Sequence, residues 1–180
     1  MRFVALDFET TGVVAGFPNE PWQLGLIEIV DGEVRPDTKW ETFFQVAAER
    51  PFSTRAPGRW AELRAELAAA PAFADLWPTL AEKLVGVPLV AHNAATERTI
   101  LVKRAPLTPF GPWLDTLEAV RTYWPILKSY KLGDLVHTFG LTGDVQKLCP
   151  GRTWHDALFD ACAGAVLFRH IARTTGRINL

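Results

Sequence analysis

The chain has 180 residues, 48% of them hydrophobic and 22% charged, with a net charge of −1. That length and balance fit one globular domain with a core of its own and exclude a disordered chain. Near-neutral charge excludes a protein that coats long nucleic acid by its own electrostatics, unless bound cations supply positive charge where phosphate sits.

Residues 2–8, RFVALDF, are rich in β-formers and predict a buried strand. The N-terminal MRFVALDFETTG reaches acidic residues too soon for a signal peptide, which makes the cytoplasm the expected compartment. A second strand is predicted over 23–30, QLGLIEIV, and Asp31-Gly32 suits a two-residue hairpin turn. A third strand follows, interrupted near its start by Pro36 and clearest at 39–46, KWETFFQV. Residues 47–58 carry Pro51 and Pro57 and predict a loop, and helices are expected over 59–70 and 72–84. VPLVAHN, 87–93, reads as a short apolar strand with a polar end. Helices are expected near 96–104, 115–123 and 131–139, and a last one over 155–172, where Leu158, Ala161, Cys162, Ala165, Phe168 and Ala172 recur at helical spacing. Three antiparallel strands followed by alternating helices and strands imply an α/β fold with a mixed central sheet. Cys149 and Cys162 lack metal-binding spacing and read as buried thiols. No apolar run approaches the ~20 residues of a membrane span.

Three places carry chemistry. Asp7 and Glu9 are two apart on a strand, so both side chains point to one face. Paired carboxylates repel, and a hard cation between them relieves the repulsion. Glu97 falls in the first turn of a helix that follows a strand ending in His92-Asn93, a common crevice position in α/β sheets. By itself Glu97 would only complement the helix dipole. His155 and Asp160 lie five apart at the start of the last helix, where Thr153 and Asp156 resemble a capping box. Positions five apart in a regular helix differ by roughly 140°, so the pair can share a ligand only if the helix start deviates. A lone surface histidine is the plain reading of His155.

Together and in this order, the three segments resemble the motifs of the DEDDh exonucleases, the DnaQ-like group that includes polymerase proofreading subunits. FVALDFETTG resembles the first motif, LVAHNAATERTIL the second and HDALFDACAGAVL the third. DTLEAVRTYWP and SYKLGDLVHTFGL are also similar to the family. The tyrosine subgroup would need tyrosine where Asp156 stands, so the histidine form fits. Two positions depart from the pattern. The third acid is Glu97 instead of Asp, with Thr96 in place of phenylalanine. The segment RPFSTRAPGRWAEL replaces a His-Gly-Ile signature, which alters the expected pocket for the terminal nucleotide.

The resemblance implies a ribonuclease-H-like sheet, a single exonuclease domain over 1–180 and two bound Mg²⁺ or Mn²⁺ ions. Asp7, Glu9, Glu97 and Asp160 would hold the ions, with Asp7 between them, and His155 would act as general base. Phe8, Thr10, Thr11 and Asn93 would contact the 3′ end of single-stranded DNA or RNA, and nucleoside 5′-monophosphates would be released. Because the sequence stops soon after the last helix, no extension for tethering to a polymerase is expected. The alternative is a catalytically weakened member that binds nucleic acid or a protein partner, and Glu97 is the feature that favours it. Residues 23–27, QLGLI, superficially resemble a sliding-clamp peptide but fall in a core strand. Trp60 and Trp154 are the tryptophans considered for base stacking, with core packing favoured. Lys128, Lys131, Lys147 and Arg152 form either a phosphate-facing rim or a solvated face.

Overall fold

A computed structural model describes residues 1–177. Three strands open the chain: β1 (Arg2–Thr10), β2 (Pro21–Val30) and β3 (Glu33–Phe43). Asp31 and Gly32 both have positive φ, 50° and 80°, which closes the β2–β3 hairpin as the sequence predicts. Two short strands, β4 (Leu89–Ala91) and β5 (Trp113–Asp115), add in parallel, and the sheet runs β3-β2-β1-β4-β5. The mixed sheet expected from the sequence is therefore present, antiparallel on one side of β1 and parallel on the other.

The helices are α1 (Arg64–Ala69), α2 (Phe73–Leu84), α3 (Ala95–Arg104), α4 (Thr116–Tyr123), α5 (Leu132–Thr138), α6 (Thr142–Leu148) and α7 (Ala157–Thr175). Alternation along β1 sorts the core into two layers. Val4, Leu6 and Phe8 pack with Leu24, Leu26 and residues of α2 and α3. Phe3 and Ala5 pack with Ile27, Ile29 and α7 on the other face. Asp7 and Glu9 continue this second series, so they emerge on the α7 face at the C-terminal end of β1.

Several boundaries differ from the sequence reading. The helix expected over 59–70 exists only from Arg64, because Trp60 is tied back by its indole N–H to Ala56 O (3.0 Å) and stacks on Phe52. Pro36 does not break β3; it sits on the edge strand at a register shift opposite Leu26–Glu28, where a missing N–H is tolerated. The sequence reading did not anticipate β5 and α6, each too short for periodicity to reveal. The last helix starts at Ala157, two residues later than expected. Its N-cap is Asp156, whose carboxylate accepts from the N–H groups of Leu158 (3.1 Å) and Phe159 (3.2 Å). Thr153 therefore caps nothing, and the expected capping box is replaced by an Asp cap. No helix among the described residues is long and apolar enough to cross a membrane.

Candidate active site

The close approach of α7 to the sheet is set at Gly25. A Cβ there would lie 2.2 Å from the Leu158 nitrogen, so only glycine lets the first turn of α7 rest on β2. Gly25 is the cross-strand partner of Asp7, and Gln23 that of Glu9. Gln23 Oε1 accepts from the Ala157 N–H (3.2 Å), and its Nε2 donates to Glu41 (3.4 Å). These contacts bring Asp160, one turn into α7, over the two carboxylates of β1.

His155 is where the helix start deviates. It precedes α7 with φ 67°, in the left-handed region, and its N–H donates to Asp160 Oδ2 (3.1 Å). Ligand atoms of Glu9, His155 and Asp160 then all fall within 4.8 Å of one another. Asp7 and Glu97 lie outside that tight trio but within its field, since Glu97, Asp160 and Glu9 all act on the Asp7 charge. Glu97 enters from the first turn of α3, only 3% exposed.

Burial is the first cause of every shift in this cluster. It pushes Glu9 up to about 8, with Asp160 and Asp156 adding repulsion. It pushes Glu97 up to about 7, partly offset by backbone N–H groups of Glu97 itself and Phe8. Asp160 also rises to about 7, against the lowering effect of the His155 N–H. Asp7 is held well above the usual carboxylate range by burial and then by its acidic neighbours. Two oxygens, Glu97 Oε2 and Asp160 Oδ1, are buried with no hydrogen-bond partner. Orphaned carboxylate oxygens in a cluster of four carboxylates fit hard divalent cations.

Substrate-contact candidates are placed unevenly. Asn93 is exposed at φ 68°, and Thr10 is partly exposed at the end of β1. Thr11 is fully buried, and its hydroxyl accepts from the Glu20 N–H (3.0 Å) and Arg50 (3.2 Å). The Phe8 ring lies in the core against Phe44. Neither of these two side chains faces the cleft, contrary to the sequence expectation, because one is spent on shaping a turn and the other on packing.

Several supporting residues escaped the sequence reading. Asp115 accepts from the N–H groups of Asn93 (3.0 Å) and Ala94 (2.9 Å), fixing the turn that launches α3, and caps α4 by accepting from Leu117 (2.8 Å) and Glu118 (3.4 Å). Its signal was a strand-ending Asp just before a helical run, an N-cap pattern. Burial lowers the His92 pKa below that of a free imidazole. Its Nε2–H donates to Tyr130 O (2.9 Å) and its Nδ1 accepts from Thr116 (2.9 Å). Arg50, 6% exposed, pairs with Glu20 (3.3 Å) and also donates to the carbonyls of Pro18 and Pro51, bracing the loop after β1. The rim proposed from Lys128, Lys131, Lys147 and Arg152 does not form one surface. Lys131 lines a cavity of about 580 Å³ with His92, Asn93, Trp154, His155 and Asp160. Lys147 lines a different hollow with Val34 and Asp144, and Arg152 is engaged by Glu41 and Asp156. Trp154 packs edge-on against Phe159 and over Gly133, with its other side on that cavity.

A mixed sheet with an acidic cluster where β1, α3 and α7 converge defines the class of exonucleases with a ribonuclease-H-like fold. The chain belongs to the RNase T exonuclease family, whose pattern matches residues 4–168, within the DnaQ-like DEDDh group that the motifs resemble. A DNA polymerase III subunit epsilon-like protein of Rhodobacter capsulatus is 28% identical over 171 residues, 93% of this chain and 23% of that protein. A PolC-type DNA polymerase III of Caldanaerobacter subterraneus subsp. tengcongensis is 32% identical over 170 residues, 93% of this chain and 11% of that protein. The chain thus spans less than a quarter of these relatives. Exonuclease X, solved in complex with 5′ overhanging duplex DNA, superposes with a TM-score of 0.72 at 27% identity, covering 99% of this chain and 94% of that one.

Proposed function

We propose that this chain is a single exonuclease domain that removes nucleoside 5′-monophosphates from the 3′ ends of single-stranded DNA or RNA. The observation that carries the reading is the convergence of Glu9, His155 and Asp160 within 4.8 Å, beside Asp7 and Glu97. Asp7, Glu9, Glu97 and Asp160 would hold two Mg²⁺ or Mn²⁺ ions, whose charge would relieve the repulsion that Glu97, Asp160 and Glu9 exert on the buried Asp7 carboxyl. Such ions supply the positive charge that stabilises an in-line displacement at phosphorus.

The chain's own groups do the rest. The exposed His155 ring takes a proton from the attacking water, and its backbone bond to Asp160 keeps the ring beside the acids. The bond that breaks joins phosphorus to O3′ of the penultimate nucleotide, so the phosphate leaves on the 5′ oxygen of the terminal one. Thr10 and Asn93 orient the terminal nucleotide, while Phe8 and Thr11 support the cleft from beneath. Four carboxylates formally balance two dications, which favours the ion-filled state over the crowded acid cluster.

The test is a digest of single-stranded DNA and RNA labelled at the 5′ end, in Mg²⁺, Mn²⁺ or EDTA. Stepwise shortening from the 3′ end with mononucleotide release, abolished by EDTA, is expected. Intact substrate in both metals would favour the binding-module reading that Glu97 raises.

A further inference from the structure

We propose that Arg152 is a positioning residue for His155, locking the loop that presents the base instead of touching the nucleic acid. The inference rests on the reading of His155 as the base of a hydrolytic site.

Three observations lead to it. His155 is a non-glycine residue at φ 67°, a conformation that L side chains rarely adopt and that persists only when its surroundings enforce it. Its carbonyl abuts Gly58, where a Cβ would come within 2.9 Å, and its N–H is spent on Asp160. The enforcing contacts come from the loop ends. Arg152 Nη1 reaches Glu41 Oε2 at 2.7 Å and both oxygens of Asp156 at 2.9 and 3.0 Å, and Nη2 bonds the other Glu41 oxygen. One guanidinium thus bridges edge strand β3 to the N-cap of α7, with His155 directly beside that cap.

The same geometry removes Arg152 from the phosphate rim. Its planar fork already faces two carboxylates, and a phosphate would have to displace one of them. Glu41 is fixed in turn by Gln23, which also accepts from Ala157. The chain of contacts Gln23–Glu41–Arg152–Asp156 runs from β2, beside the central strand, to the residue after His155. Lysine could supply the charge but not the two-sided fork.

The experiment compares wild type, Arg152→Ala, Arg152→Lys, Glu41→Gln, His155→Ala and the double variant Arg152→Ala/His155→Ala in steady-state nucleotide release, with thermal melts alongside. Arg152→Ala should lower kcat by about tenfold or more, short of the full general-base effect, with KM changed less than about twofold. Arg152→Lys should recover part of the loss. The double variant should be no slower than His155→Ala, because a positioning residue has nothing left to position. A wild-type kcat in Arg152→Ala, or losses that multiply in the double variant, overturns the proposal. Should Arg152→Ala fail to fold, Glu41→Gln carries the test, with a smaller drop in kcat at unchanged KM expected and an unchanged kcat counting against it. Hydrogen exchange at the His155 amide reads the geometry without activity: exchange should quicken in Arg152→Ala. Unchanged exchange overturns the positioning role even in an inert protein, whereas an inert wild type with quickened exchange in the variant overturns only the exonuclease reading.

Discussion

The two walls of the acidic cleft reach the same end by different construction. On the α7 side, a backbone contact at Gly25 and the bridge from Gln23 through Glu41 and Arg152 to Asp156 set the positions of His155 and Asp160. On the α3 side, one carboxylate, Asp115, holds four N–H groups, two in the turn before α3 and two at the start of α4, and Glu97 projects from the turn it fixes with Oε2 unpartnered. The first wall is a network of ties in series, and the second hangs from a single acceptor. A networked wall suits a residue proposed to move a proton in a defined direction. A lightly tied wall can absorb the longer side chain of Glu97 in place of aspartate.

The largest expected effect falls on the residue between the walls. Asp7→Ala should cut nucleotide release by several kcal/mol of transition-state stabilisation, about 10³-fold or more, while the far-ultraviolet circular dichroism stays native. Turnover at the wild-type level in the folded variant would remove Asp7 from the site. On the networked wall, His155→Ala should lose about 10²–10⁴-fold at neutral pH and recover part of it at higher pH, as hydroxide replaces the base. Calorimetric titration with Mn²⁺ should show little change in affinity. An unchanged rate at neutral pH would make His155 an ordinary surface histidine.

The lightly tied wall is sharpened by a pair of variants. Glu97→Asp should keep substantial activity with a shifted preference between Mg²⁺ and Mn²⁺, since Mg²⁺ demands stricter octahedral geometry. Glu97→Ala should lose far more. Equal, robust rates in wild type and Glu97→Ala would remove Glu97 from the reaction. Asp115→Ala should show up first in stability, by about 2–4 kcal/mol in urea unfolding, because it strands the N–H groups of Asn93, Ala94 and Leu117. If urea midpoints do not move, Asp115 does not hold that wall.

The smallest effect is a pH dependence shared by both walls. Glu9, Glu97 and Asp160 stand at about 8, 7 and 7, above their unfolded values of 4.5, 4.5 and 3.8. The stability linked to a raised carboxyl is present below its unfolded value and is lost as pH rises through the folded one. In EDTA, the melting temperature should therefore fall between about pH 4 and 8 from these groups. Divalent ions need the ionised carboxylates, so Mn²⁺ should raise the melting temperature more at pH 8 than at pH 6. An equal rise at both values would show that these carboxylates are not the ligands.

The sequence disclosed the parts of this site that depend on local pattern. Alternation placed Asp7 and Glu9 on one face, and the Asp31-Gly32 turn set the β2–β3 hairpin. The roughly 140° separation expected for His155 and Asp160 within a helix pointed to the deviation now seen at His155. Long-range contacts were hidden. Nothing near Gln23 or Glu41 in the chain marks them as supports of residues more than a hundred positions away. Arg152 looked like one more surface cation, and Thr11 like a free hydroxyl, because the partners that occupy them come from other elements. The shortest pieces, β5 and α6, owe their conformation to neighbours more than to their own pattern.

Gly25 gives the cleft a dimensional standard. Helix α7 and strand β2 meet there main chain to main chain, a bare contact with no side chain to deform. The gap between the Asp160 carboxyl and the β1 acids is therefore referenced to covalent geometry, whereas a gap set by packed side chains would widen or narrow as those side chains changed. Substitutions deeper in the α7 layer, at Ala165 or Val166 for instance, can alter how firmly the helix is held without resetting the distance at which it stops. Adding a single methyl at Gly25 would do the reverse, leaving every acid in place along the chain while holding the helix off its seat and the carboxylates out of calibration.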